Sequence, residues 1–341
     1  MAELASDNYA TVLIPPDVPE GAPQIGGREV VHSGEVFGTT WSLRLVRKSS
    51  TNPANDTAYR AQLVKACSQA LALIDAQMSL WQDDSDISHF NRLTPGAALS
   101  LPEPLATVTG KAFNVCEETK GAFYPGLYEA VEQWGFGSVD KANPVATGLA
   151  FSREWMAPAA MAGLLSGNVI ERHRGFALDL NGIAKGYAVD LLYDVIRAHP
   201  DTAACLVEIG GELKGFGTRA DGMPFWIDLS PNGDDVSPTY RAALYGWACA
   251  TSGETERFHE SGGSVYSHIL DPETGASAQS DLIAATVFDK ECARADALAT
   301  ALIVMGSNKA LAFANERLIP CVLTPRAESA DILSNAMREW I

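Results

Sequence analysis

The sequence predicts an α+β fold, and three observations carry that expectation. Apolar residues recur at three- and four-residue intervals over several stretches, and short β-prone runs bounded by Gly, Pro and Asp crowd the region 205–288. The two kinds of segment do not follow the regular βαβ alternation of a parallel sheet. Mixed helices and mostly antiparallel strands are the expected architecture.

Residues 1–29 hold Pro15, Pro16, Pro19 and Pro23 among Gly and acidic residues, a composition that suits an extended arm or linker. The folded unit is expected over 30–341, without internal repeat or low-complexity tract. Between 56 and 78, Leu63, Cys67, Ala70, Leu71, Ile74 and Met78 keep the period of an amphipathic helix. Two further helices are expected over 104–119 and 184–198. The runs CLVEIGG, LKGFG, PFWIDLS, ALYGWACATSG, SVYSHIL and LIAATVF then read as strands, and 293–305 and 308–317 as helices.

Composition narrows the function. With 25 Lys or Arg against 42 Asp or Glu, the net charge is −17, which argues against a general binder of nucleic acid or anionic membranes. A chain that is 47% hydrophobic and 20% charged has the apolar content for a sizeable core. No uninterrupted apolar run reaches about 18 residues, and the first residues lack the basic start and apolar stretch of a signal peptide. The six cysteines are widely spread without zinc-site spacing, and the apolar neighbours of Cys205 and Cys249 favour buried, inert thiols.

Three segments hold candidate chemistry. In DLNGIAKGYAVD (179–190), Asn181 and Gly182 form a tight turn that opens a helix, and its first amides together with Lys185 suit an anion or phosphate; an ordinary turn with a solvated lysine has equal standing on these residues alone. The stretch is neither a Walker loop nor a dinucleotide fingerprint. In VYSHILDPETG (265–275), His268 and Asp271 stand beside a Pro-containing turn, where an imidazole is a candidate general base and a structural histidine is the ordinary alternative. In ARADALATALIVMG (293–306), Asp296 and Thr300 share a helix face, a carboxylate and a hydroxyl of the type magnesium takes, although a helix acid and a back-bonded threonine give the same pattern.

In order and content these segments resemble the ApbE family of flavin transferases from about Phe37 to Gly306. FGTTWSLRL (37–45) is similar to its opening strand, MSLWQDDSDISHFN (78–91) to its Met-Ser-x-aromatic segment, and GAFYPG (121–126) to its Gly-Ala-Phe-Asp-Pro segment. DLNGIAKGYAVD, EIGGELKGFG (208–217), ATSGETERF (250–258), SHILDPETG (267–275) and ADALATALIVMG (295–306) follow in the family's order. The resemblance implies a single compact domain with two lobes around a flavin cleft. It also implies an activity: FAD is split, AMP leaves, and FMN is joined to a Thr or Ser hydroxyl of an acceptor flavoprotein.

The implied site follows residue by residue. Asp296, Thr300 and the carbonyl of Ala184 would hold magnesium, with the Ala299 carbonyl as a weaker candidate; His268 would be the base and Asp271 the runner-up. FAD would lie against Met78, Trp81, Phe123, Tyr124, Pro125, Asn181, Lys185, Tyr187, Gly210, Gly211, Ser252 and Ile269. Tyr124 stands where the family has aspartate, Trp81 for tyrosine, Phe37 for methionine and Glu208 for asparagine, so ring recognition is expected to differ and Tyr124→Asp to tighten FAD binding. An FAD pyrophosphatase giving AMP and FMN, or a non-catalytic FAD carrier, are the alternatives. The acceptor signature has the form Asp-x-x-Thr/Ser-Gly-Ala-Thr. DPETGAS (271–277) nearly matches it at Thr274, but belongs to the family's own segment, so self-modification is not expected. By resemblance the protein works in the periplasm or on the outer face of the inner membrane, reaching the membrane only through an anchor not seen in this chain or through its acceptor.

Overall fold

The computed structural model describes residues 10–18, 26–48, 53–138, 158–229, 239–253, 258–261, 264–326 and 330–341. Pro19 and Pro23, residue 230 of the PFWIDLS run and 254–257 of ATSGETERF lie outside them. Strand β1 (Thr11–Leu13) is followed by a hairpin of β2 (Arg28–Val36) and β3 (Thr39–Arg47), whose turn places Phe37 and Gly38 in the left-handed region, φ 53° and 71°. Helix α1 (Pro53–Met78) buries Leu63, Cys67, Leu71, Ile74 and Met78, the face expected from their spacing. Helix α2 (Asp86–Asn91) starts at Ser85, whose Oγ accepts the Ser88 N–H. After β4 (Ala98–Ser100), α3 (Glu103–Glu118) opens on Pro102 and Pro104, which suit a helix's first turn, and α4 (Tyr128–Trp134) stops at the left-handed Gly135.

The chain continues through α5 (Pro158–Met161), β5 (Leu165–Ser166), β6 (Val169–Glu171), α6 (Asn181–Arg197), β7 (Thr202–Ile209), β8 (Glu212–Phe216), β9 (Trp226–Leu229), β10 (Tyr240–Ala243) and β11 (Ala248–Gly253). Then come β12 (Phe258–Ser261), β13 (Ser264–Ser267), β14 (Leu282–Asp289), α7 (Cys292–Arg317), β15 (Cys321–Pro325), β16 (Ile332–Leu333) and α8 (Asn335–Arg338). The largest sheet among the described residues runs β2-β3-β7-β8-β11-β14-β15-β16, with every neighbouring pair antiparallel.

Alternation along these strands buries both faces of that sheet. Leu43 and Leu45, Cys205 and Val207, Ala248 and Ala250, and Ala285 and Val287 point into the core that α1, α3, α6 and α7 cover. Their neighbours Val46, Ala204, Leu206, Cys249 and Phe288 point the other way, against Leu13, Ile227, Tyr240, Met337 and Trp340. The six cysteines are all buried, and burial pushes the Cys321 thiol up to about 11.

Two expectations meet the structure differently. The N-terminal arm is extended, but part of it is a core element: β1 pairs in parallel with β10, Leu13 is fully buried, and Asp17 accepts hydrogen bonds from Trp247 Nε1 and Lys290 Nζ. The short run Thr11-Val12-Leu13 makes that pairing, and the prolines around it hide it from a composition reading. The two C-terminal helices follow one another directly but are broken at Gly306, which adopts φ 71° and ψ 164°. Asp281 restarts the helix by accepting both the N–H and the hydroxyl of Ser307. Helix α7 is long and apolar enough to cross a membrane by composition. It lies instead against α6, β11 and β14 as a core helix.

Candidate active site

The turn that opens α6 is held from outside. Asn91 uses its side-chain amide as a strand would use its backbone, donating to Leu178 O at 2.9 Å and accepting from Leu178 N at 2.7 Å. On the other side Asp179 N donates to Pro125 O at 2.8 Å, and Leu127 bridges to Ala177. The 121–127 segment is thereby fixed beside the start of α6. Gly182 sits off the helical conformation, φ −85° and ψ 17°. A Cβ there would stand 3.2 Å from Phe123 Cε2 and 3.4 Å from Thr300 Oγ1, so this turn, the Phe123 ring and α7 meet at one point.

Asp179 belongs to this turn although sequence reasoning did not single it out. Its Oδ1 accepts the Asn181 N–H at 2.9 Å, an Asx turn. Burial, reinforced by the Glu132 charge and opposed by that hydrogen bond, pushes its carboxyl up to about 6. A folded-state value above the unfolded one means that the ionised form costs stability, fully above about pH 6 and not at all below the unfolded carboxylate range. Asp179→Asn, which keeps the acceptor oxygen, is therefore expected to raise the melting temperature by about 2 °C at pH 8. At pH 4 most of that gain should be gone; equal shifts at both pH values in a thermal scan would contradict this origin.

The carboxylate and hydroxyls come together across α6, α7 and β11. Asp296 is 4% exposed and accepts the Gly186 N–H on Oδ2 at 3.0 Å. One turn along α7, Thr300 Oγ1 lies 3.0 Å from Ser252 Oγ at the end of β11. The helix period predicts that Asp296 and Thr300 share a face; the structure adds Ser252. Ala184, whose N–H bonds back to Leu180 O, is in the first turns of α6, while Ala299 is fully buried. Donors that are all oxygen, one of them a buried carboxylate, fit a hard cation such as magnesium. Asp296, Thr300 and the Ala184 carbonyl are the candidates that could hold one.

Lys185, expected to face a phosphate, is tied by an ion pair at 2.8 Å to Glu212 of β8, whose side chain is 2% exposed. A carboxylate this deep needs a cationic partner, and Glu212 carried no sequence signal of its own. Gly210 and Gly211 form the β7–β8 turn with φ 57° and 99°. Gly210 lies so close to Thr39 that a Cβ would clash at 2.8 Å, whereas Gly211 faces open space where a ligand can approach its backbone. Glu208, in place of the family's asparagine, braces this turn by accepting from Ser42 Oγ and Gly211 N.

The remaining candidates divide between surface and core. Trp81 stands 49% exposed just after α1, while Met78, Phe123 and Ile269 are buried in the main core. Tyr187 is half-buried in α6, where burial raises its phenol above the ordinary range. His268 follows β13 and meets Phe136 edge-on at 6.2 Å. Asp271 is engaged by its own turn: Oδ1 accepts Glu273 N at 2.8 Å and Oδ2 accepts Thr274 Oγ1 at 3.1 Å. Trp134 Nε1 closes that turn on Gly275 O at 2.9 Å. The geometry gives Asp271 a turn-forming part, leaving His268 as the candidate base.

Tyr124, expected against FAD, is a buried ring. It is 7% exposed, and it and Phe176 press on Gly126 so closely that a Cβ there would come within 2.7 Å and 2.8 Å of the two rings. Tyr124→Asp would replace a core ring by a carboxylate, so it is expected to cost about 3 kcal/mol of stability rather than simply tighten FAD. A melting temperature unchanged from the parent would overturn that placement.

Comparison with known proteins is consistent with this geometry. The model of the ApbE family matches residues 37–323. The chain is similar to the FAD:protein FMN transferase of Vibrio cholerae, 31% identical over 88% of this chain and 89% of that one. It is also similar to that of Treponema pallidum, 30% identical over 87% and 85%. Among solved structures, the apo flavinyl transferase ApbE of Pseudomonas stutzeri superposes with a TM-score of 0.78 at 30% identity, covering 92% of this chain and 96% of that one. The flavin transferase ApbE of Vibrio cholerae gives 0.76 at 27% identity, covering 92% and 99%.

Proposed function

The chain belongs to the ApbE family, and from that premise we propose that it is an FAD:protein FMN transferase that moves FMN from FAD onto a Thr or Ser hydroxyl of an acceptor flavoprotein. The observation that carries the reading is the meeting of the first turns of α6 with Asp296, Thr300 and Ser252. The Lys185 ammonium, which also pairs with Glu212, and the open backbone at Gly211 suit the diphosphate, and Trp81 offers a ring face for stacking. A magnesium ion held by Asp296, Thr300 and the Ala184 carbonyl would neutralise charge on the diphosphate. His268 receives the proton of the acceptor hydroxyl as its oxygen bonds to the FMN phosphorus. The bond from that phosphorus to the bridging oxygen breaks, and AMP departs with the electron pair. The same reading puts the protein in the periplasm or on the outer face of the inner membrane, which cell fractionation tests.

The deciding experiment separates nucleotides after incubation with FAD and magnesium, with and without an acceptor fragment bearing the Asp-x-x-Thr/Ser-Gly-Ala-Thr signature, while the acceptor's mass is followed. Acceptor heavier by FMN with an equal yield of AMP is the expected result. AMP plus free FMN without acceptor would replace the transferase by a pyrophosphatase, and intact FAD in both tubes would leave a carrier.

A further inference from the structure

We infer that Asp190, held by Lys214, is the positioning residue that sets the Asp296 carboxylate in place, an inference that rests on the cation site proposed above. Helix α7 has no capping side chain of its own at Glu291. Its first amides are satisfied from another helix: Asp190 Oδ1 accepts Cys292 N and Oδ2 accepts Ala293 N, both at 3.0 Å. Lys214 Nζ, from β8, lies 2.5 Å from Asp190 Oδ1 and 4.6 Å from the centre of the Tyr193 ring, with only 10% of its side chain exposed.

The bonds are reciprocal. One turn of α6, from Gly186 to Asp190, faces one turn of α7, from Cys292 to Asp296, in opposite senses. Asp190 receives the amides at the start of the α7 turn, and Asp296 at its end receives the Gly186 amide on the start of the α6 turn. The two helices touch between these bonds, because a Cβ on Gly186 would stand 2.4 Å from Cys292 O. Asp296 therefore hangs from a turn pinned at both ends, and Asp190 holds the end remote from the cation donors.

The test titrates Mn2+ alone into the protein, with free Mn2+ read by electron paramagnetic resonance, for the parent chain, Asp296→Asn and Asp190→Asn. Asp190→Asn keeps one acceptor oxygen but turns an NH2 toward the α7 amides. It is expected to weaken Mn2+ binding by about tenfold or more, as loss of an outer-shell partner does. Turnover at limiting magnesium should fall with the KM for FAD held, and excess magnesium should restore it, which a general loss of folding would not show. Lys214→Gln, which keeps the Asp190 carboxylate and removes its charge partner, provides the second variant, with a smaller shift in the same direction. Parent-like Mn2+ affinity in both variants overturns the inference. Parent-like affinity in Asp296→Asn overturns the cation site itself and so is told apart from it.

Discussion

Asp296→Asn is expected to lower FMN transfer about a thousandfold, the rate equivalent of about 4 kcal/mol. The side chain is buried, and its Oδ2 accepts the Gly186 N–H. The asparagine oxygen can keep that bond, so the α6–α7 contact and the fold should survive while the negative charge is lost. On the proposed reading that charge faces the cation, so its removal falls on cation binding. The KM for FAD should stay within about threefold, since the loss falls on an interaction with charge that builds as AMP leaves. Steady-state turnover at ordinary magnesium, beside a thermal scan showing a folded variant, decides it. Parent-like turnover would remove Asp296 from the cation site.

His268→Ala should slow acceptor modification by about a hundredfold to ten-thousandfold, the range for loss of a positioned general base. FAD binding should be retained, because the His268 ring packs edge-on to Phe136 and the neighbouring Ile269 stays anchored in the core. Added imidazole should recover part of the lost rate by entering the space the side chain leaves. Asp271→Asn, in contrast, keeps an acceptor for Glu273 N and places an NH2 that can donate to Thr274 Oγ1, so it should hold most of the activity. The pair separates the two residues that the motif alone leaves side by side. If His268→Ala keeps full rate while Asp271→Asn loses it, the roles are reversed.

Much of this protein is legible from short stretches of its sequence. The helical period over 56–78 identifies the buried face of α1, and the β-prone runs identify β7, β8, β9, β11, β13 and β14. Gly306 ends one C-terminal helix and starts another as its position between two periodic segments predicts. Asp296 and Thr300 share a face because they are four residues apart on a helix. Other residues gave no such signal. Asn91 looks like an ordinary helix-terminal residue until Leu178 lies beside it, and Glu212 like a surface acid until β8 carries it into the interior.

By itself the sequence determined the α+β class, the order of the family's segments and the residue types that the chemistry needs, because periodicity and turn chemistry act over a few neighbouring residues. Only the tertiary structure decided which of those residues meet. The Gly186–Asp296 bond joins positions 110 apart, the Asp190 cap reaches across 102, and Thr300 finds Ser252 across 48. Leu13 becomes core only because β10 supplies a ladder, and Tyr124 only because Phe176 and Gly126 form its surroundings. Such contacts depend on the packing of whole helices against one sheet, and that packing is set by the burial of the entire chain rather than by any local pattern.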